Sequence, residues 1–159
     1  MVNSRGFSLV ELLVTLALLA FLLMLAVPFT NTWSDSARLR DAENLLHQGI
    51  GRAKALALRN HHGMTGTRTA ASLCLDGQSQ RLNLYQASSA AQQADCSGAY
   101  GSPVWSAQLP KAATVKSGAN DFACLALDSR GLPTANGGCS TGNAYTLSIG
   151  SDDVTITIN

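Results

Sequence analysis

An α+β fold, one long N-terminal helix packed on small antiparallel β-sheets, follows from three features of the chain. An apolar run from Phe7 to Phe29 carries a single charge, Glu11. Small and aliphatic residues then recur at three- and four-residue steps from Leu39 to Ala57. From Met64 onward the pattern changes to short alternating runs separated by turn residues.

The apolar run is about 23 residues long, and a bilayer core needs roughly 20 at 1.5 Å rise each. Residues 7–29 are therefore expected to form a transmembrane half-helix behind a short leader, residues 1–6. A carboxylate at the centre of such a segment costs about 3 kcal/mol. Glu11 lies one turn in, where the cost is smaller, but it still calls for a partner. A removable secretory signal fits poorly, because its apolar region is shorter and carries no acid, and Leu23-Met24-Leu25-Ala26 is a poor small-x-small junction. A plain uncut anchor leaves Glu11 unexplained. Pro28 is expected to kink the helix without ending it. Trp33 suits either a membrane–water interface or packing on the head.

Residues 30–62 read as the amphipathic continuation of the same helix. Leu39, Ala42, Leu46, Ile50, Ala53 and Ala57 make its apolar stripe, with Arg38, Arg40, Asp41, Glu43, Arg52, Lys54 and Arg59 mostly on the other faces. Gly49 and Gly51 each cost about 1 kcal/mol of helix propensity, which close approach of a strand would explain. Asn60-His61-His62-Gly63 ends the helix, with Gly63 expected as the C-terminal cap.

Residues 63–159 are expected to form a β-rich head. Strands are predicted at 65–75, 81–86, 104–108, 113–116, 123–127, 144–149 and 154–158. Gly150-Ser151-Asp152-Asp153 joins the last two as a hairpin, and strict alternation turns Val154, Ile156 and Ile158 towards the helix. Asp128-Ser129-Arg130-Gly131 reads as a turn, and the segments 87–101 and 133–142 as surface loops.

Basic and acidic side chains nearly balance, 11 against 10, and loss of Arg5 with the leader would make the balance even. No global attraction to nucleic acid or anionic lipid follows. Four cysteines, Cys74, Cys96, Cys124 and Cys139, all follow the apolar run. Four allow three connectivities. The pairing Cys74–Cys96 with Cys124–Cys139 is favoured because each pair brackets one Gly- or Ser-rich loop. A zinc site is disfavoured, since neither a Cys-x-x-Cys nor a familiar Cys/His spacing with His47, His61 or His62 occurs.

The stretch Gly6-Phe7-Ser8-Leu9-Val10-Glu11-Leu12-Leu13-Val14 resembles the class III signal of type IV prepilins and type II secretion pseudopilins. Gly51-Arg52-Ala53-Lys54-Ala55-Leu56-Ala57-Leu58-Arg59-Asn60 resembles the end of the long helix in the GspH/FimT/FimU branch. Ala71-Ser72-Leu73-Cys74 and Leu125-Ala126-Leu127-Asp128-Ser129-Arg130-Gly131 are similar to a strand and a turn of the same branch. The resemblance implies the type IV pilin fold. It further implies cleavage between Gly6 and Phe7 by a prepilin peptidase, N-methylation of Phe7, and pairing of Glu11 with the Phe7 amine of a neighbouring subunit. Partners would be other pilins or pseudopilins, met through the N-terminal helix, and an inner-membrane assembly platform. The location would be the inner membrane with a periplasmic head, then the filament.

No nucleophile elbow, phosphate loop or metal motif occurs, so no catalytic residue, metal or cofactor is assigned. Asp152-Asp153 read as turn residues rather than a calcium site. The expected function is that of a minor pilin, a non-catalytic structural subunit that primes or caps filament assembly. Alternatives are a minor pseudopilin of type II secretion and a DNA-uptake pilin. The last requires Arg52, Lys54, Arg59, Arg68 and the histidines to form one basic stripe. The balanced charge and a C-terminus without arginines argue against it.

Overall fold

The computed structural model describes residues 8–158, with the backbone alone described for residues 26–32. One helix, α1 (Leu9–Arg59), runs for 51 residues, about 75 Å at 1.5 Å per residue. Its backbone is helical through position 28, so the proline there does not end it. Eight strands follow: β1 (Thr69–Asp76), β2 (Arg81–Gln86), β3 (Trp105–Gln108), β4 (Thr114–Ser117), β5 (Asn120–Asp121), β6 (Cys124–Asp128), β7 (Ala144–Ile149) and β8 (Asp152–Thr157). They form two four-stranded sheets, ordered β3-β2-β1-β6 and β5-β4-β7-β8, with every pairing antiparallel.

The stripe Leu39, Ala42, Leu46, Ile50, Ala53 and Ala57 is buried along its whole length, against β1, β2 and β6 of one sheet and β7 and β8 of the other. Small residues in the stripe let the sheets lie close. Gly49 is a point of close approach: a Cβ there would sit 3.2 Å from both Leu73 Cδ2 and Trp105 Cζ3. Gly51 differs from expectation, since it faces open space with nothing within 4 Å.

The helix end also differs. Asn60, not Gly63, takes the left-handed cap conformation (φ 39°, ψ 51°), its N–H reaching Ala57 O and Leu56 O. Its side chain explains why an L-residue is tolerated there. Nδ2 donates to Met64 O at 2.8 Å and Oδ1 accepts from Met64 N at 2.6 Å, fastening the chain as it leaves the helix. Gly63 (φ 65°) serves the turn that follows.

Strand bounds shift by a few residues. β1 begins at Thr69 rather than 65, and β8 begins at Asp152, which leaves Gly150-Ser151 as a two-residue hairpin turn. Gly150 supplies the positive φ such a turn needs. Ile156 and Ile158 are buried and Val154 is half-buried against the core, as the alternation requires. Phe122 packs edge-on against Tyr145 at 5.3 Å. Tyr145 is fully buried and donates to Gly142 O at 2.8 Å. Burial pushes its phenol up, against a lowering contribution from Ser140.

β1 is buried on both faces through its first six residues. Leu73 and its alternates face α1. Ser72 and Cys74 face the other side, where the two long loops lie. Segment 87–101 is tied down by Ala94 N to Thr69 O, Ser72 Oγ to Ala94 O, and the Arg68 guanidinium on the carbonyls of Ala90 and Ala91. Segment 133–142 runs beside β6, with Thr134 N on Ala126 O and Ser140 N on Cys124 O, so the outer edge of that strand is covered.

Candidate functional site

The described apolar half of α1 touches nothing on the head. From residue 9 to residue 25 its large side chains are between 53% (Val14) and 79% (Met24) exposed. Leucines gain about 1.5–3 kcal/mol each on leaving water, so an apolar cylinder this exposed is costly to leave in water. Among the described residues no helix is long and apolar enough to cross a membrane. The described side chains of the apolar stretch stop at Leu25, and those of residues 26–32, Pro28 and Phe29 included, lie outside the description.

Glu11 sits in the first turn of this half and is exposed. Ser8 precedes the helix in extended conformation, and its carbonyl accepts from Leu12 N at 3.2 Å. The Ser8 side chain makes no cap bond. An acid in the first turn is favoured by the helix dipole by about 0.3–1 kcal/mol, a small term beside the cost of carrying it into hydrocarbon. Gly6 and Phe7, expected at the cleavage and methylation site, lie outside the described residues.

Trp33 is 79% exposed, so it does not pack on the head of its own chain.

The basic residues do not gather into one stripe. Arg52 stacks over Trp105 at 5.3 Å from the ring centroid, and with Arg59 it borders a shallow groove floored by Leu84, Val104 and Trp105. Lys54 follows Arg52 by two residues, about 200° round the helix at 3.6 residues per turn. Arg68 is committed to loop carbonyls at 2.6 and 2.7 Å. His61 and His62 pack edge to face with each other at the helix end.

Cys74 is bonded to Cys96 and Cys124 to Cys139, the pairing expected from the two bracketed loops. The sequence did not reveal that the two bridges are neighbours. Cys74 and Cys124 are partners across β1 and β6, and the sulfurs of Cys96, Cys124 and Cys139 lie within 4.8 Å of one another. All four are oxidised and offer no thiolate to a metal.

Asp128 is a second feature with little signal in the sequence. Its side chain is almost fully buried, its Oδ1 accepts from Arg130 N and Leu132 N, and its Oδ2 accepts from the Arg130 guanidinium at 2.8 Å. Burial pushes the carboxyl up. The Arg130 side chain and the Leu132 and Arg130 N–H groups outweigh that and hold it below its ordinary value. The network shapes the 128–131 turn. Asp152 accepts from Ser36 Oγ at 2.7 Å and pins the β7–β8 hairpin to α1.

Residues 1–27 match the family model of the prokaryotic N-terminal methylation motif. That motif is the type IV pilin signature, and the long helix on two small antiparallel sheets is consistent with the type IV pilin fold. Together the motif and the fold support a type IV pilin-like or pseudopilin protein. The motif implies processing by a prepilin peptidase and assembly with other pilins. No curated protein and no solved structure matches the chain.

Proposed function

We propose that this protein is a minor pilin of a type IV pilus, a non-catalytic subunit that primes or caps filament assembly. The observation that carries the reading is Glu11, an acid on a half-helix whose described apolar side chains are all exposed. After cleavage behind Gly6, the Phe7 amine becomes the N-terminus and carries a positive charge. A subunit entering a filament slides its apolar half among others, where an unpaired carboxylate is costly. Pairing with the Phe7 amine of a neighbour removes that cost and sets axial register, because a slip of one turn leaves both charges unpaired. The subunit waits in the inner membrane with its head in the periplasm, until the assembly platform lifts it into the filament.

The test is Glu11→Leu. Anchoring and cleavage should persist while the amount recovered in sheared filaments falls at least severalfold relative to the inner membrane. Wild-type incorporation would reject the pairing mechanism, since a simple anchor only benefits from losing the charge.

A second reading is a minor pseudopilin of type II secretion, because the helix end from Gly51 to Asn60 resembles a branch that holds both kinds of subunit. Crosslinking from the apolar half to pilins or to pseudopilins separates the two. DNA uptake is disfavoured by the scattering of Arg52, Lys54 and Arg68 over different surroundings.

A further inference from the structure

The outer face of the β1–β6 pair carries all four cysteines in one pocket of about 280 Å³, floored by Cys74 and Cys124 and walled by Cys96 and Cys139. Cys74 and Cys124 lie opposite each other, and the flanking bond from Leu75 N to Ala123 O (2.8 Å) makes theirs a non-hydrogen-bonded pair. Such pairs hold Cα atoms about 4.5 Å apart with side chains closer than at other positions, within the 4.4–6.8 Å span a disulfide bridges. On the other side of the pocket, Cys96 and Cys139 have their sulfurs within 4.8 Å of each other. A second pairing, Cys74–Cys124 with Cys96–Cys139, would therefore join two strand neighbours on one side and two close sulfurs on the other.

We propose that this cluster is a thiol–disulfide exchange site, at which a small-molecule thiol converts the head between two pairings without unfolding it. Cys96 is the exposed residue of the four, Cys139 is half-buried and Cys74 and Cys124 are buried, so attack falls on Cys96. The external thiolate bonds to Cys96 sulfur and the Cys74 thiolate leaves. Cys74 attacks Cys124, forming Cys74–Cys124 and releasing the Cys139 thiolate. Cys139 then attacks Cys96, forming Cys96–Cys139 and returning the external thiolate. Two disulfides enter and two leave, so no net oxidant or reductant is consumed.

The pocket favours a small thiol over the active site of a protein, given its size. Asp76 and Asp95 line it with no Lys or Arg among its walls, so a cationic aminothiol is favoured over an anionic one. Both loops remain held near the sheet by Ala94 N to Thr69 O and Ser140 N to Cys124 O, which keeps the sulfurs together during exchange. The outcome changes what is fastened to what. In the observed pairing each loop is bonded to a strand. In the second pairing the strands are bonded to each other and the loops to each other.

The experiment is to incubate the oxidised full chain in detergent with substoichiometric cysteamine, quench with acid and a thiol alkylator, and map peptides without reduction. Cys74–Cys124 and Cys96–Cys139 should appear together in equal amounts with no gain in free thiols, and several-fold faster with cysteamine than with glutathione at equal thiolate. A second measurement uses Cys96→Ser with no added thiol, in which Cys74 should share the Cys124–Cys139 bridge and yield a Cys74–Cys124 fraction. Only the original pairs in the wild type overturn the proposal. So does the third pairing, Cys74–Cys139 with Cys96–Cys124, at levels matching a guanidinium-unfolded control, because that marks scrambling through unfolding. Equal rates with the two thiols would overturn the assigned preference for a cationic thiol.

Discussion

The α-carbon of Gly49 faces Leu73 so closely that a methyl group there would lie 3.2 Å from Leu73 Cδ2. Leu73 is fully buried and has no free space to retreat into, whereas Trp105, on the other flank, is half-buried under Arg52 beside the groove. Gly49→Ala gains about 1 kcal/mol of helix propensity and loses about 1–3 kcal/mol to overpacking. The expected net result is destabilisation by up to about 2 kcal/mol. Gly51→Ala meets nothing within 4 Å and should stabilise by about 0.5–1 kcal/mol. Thermal unfolding of the two variants in detergent should move the midpoint in opposite directions.

Asn60 combines a left-handed backbone with two side-chain bonds to Met64. Asn60→Ala loses both bonds and adds backbone strain, together about 2 kcal/mol. Asn60→Gly relieves the strain and should cost about 1 kcal/mol less than alanine. Denaturant midpoints ranked wild type, glycine, alanine would agree with this account. Equal glycine and alanine values would show that the bonds alone matter.

Asp128 gives the head an acid limit. Its carboxyl is held below the ordinary 3.8, so its stabilisation is fully present above about pH 4 and fades as pH falls through the lower folded value. Asp128→Asn keeps the shape but sets an amide against the Arg130 guanidinium. We expect a loss of about 1–3 kcal/mol at pH 7 and a flatter fall in stability between pH 4 and 2 than in the wild type. Arg130→Ala should cost less, at most about 1 kcal/mol, because the guanidinium is 65% exposed. Urea titrations across that pH range read both effects.

Processing is checked at the leader. A bulky residue at Gly6 should block cleavage, whereas the wild-type mature chain should begin at methylated Phe7. Intact mass of the membrane fraction decides it. A wild-type chain that starts at Met1 would remove the basis for the assembly role of Glu11.

The helix stripe was legible because Leu39 to Ala57 repeat at the helical period with no competing pattern. The alternation in 154–158 likewise told which face Ile156 and Ile158 would turn inward. β5 was not legible, being two exposed residues, Asn120 and Asp121, paired only with β4. The cap at Asn60 was missed because glycine is the usual left-handed residue, and the bonds that let asparagine take its place run to Met64, beyond the helix. The adjacency of the two bridges depends on the register between Cys74 and Cys124, strands far apart in the chain. Periodicity carries no information about which strand lies beside which. Disulfide bracketing could find each bridge but not their contact.

The contact between α1 and the head runs from the Ser36–Asp152 hydrogen bond to the Asn60–Met64 clasp, with the buried stripe between them. An anchorage of that length has a mechanical meaning. A pull along the helix axis loads all of those side chains at once, in shear, whereas a sideways pull would open them one after another from an end. The head is thus strongest against tension directed along its own helix, and any tilt of that helix at Ser36 is passed to the two sheets as rotation of one stiff body.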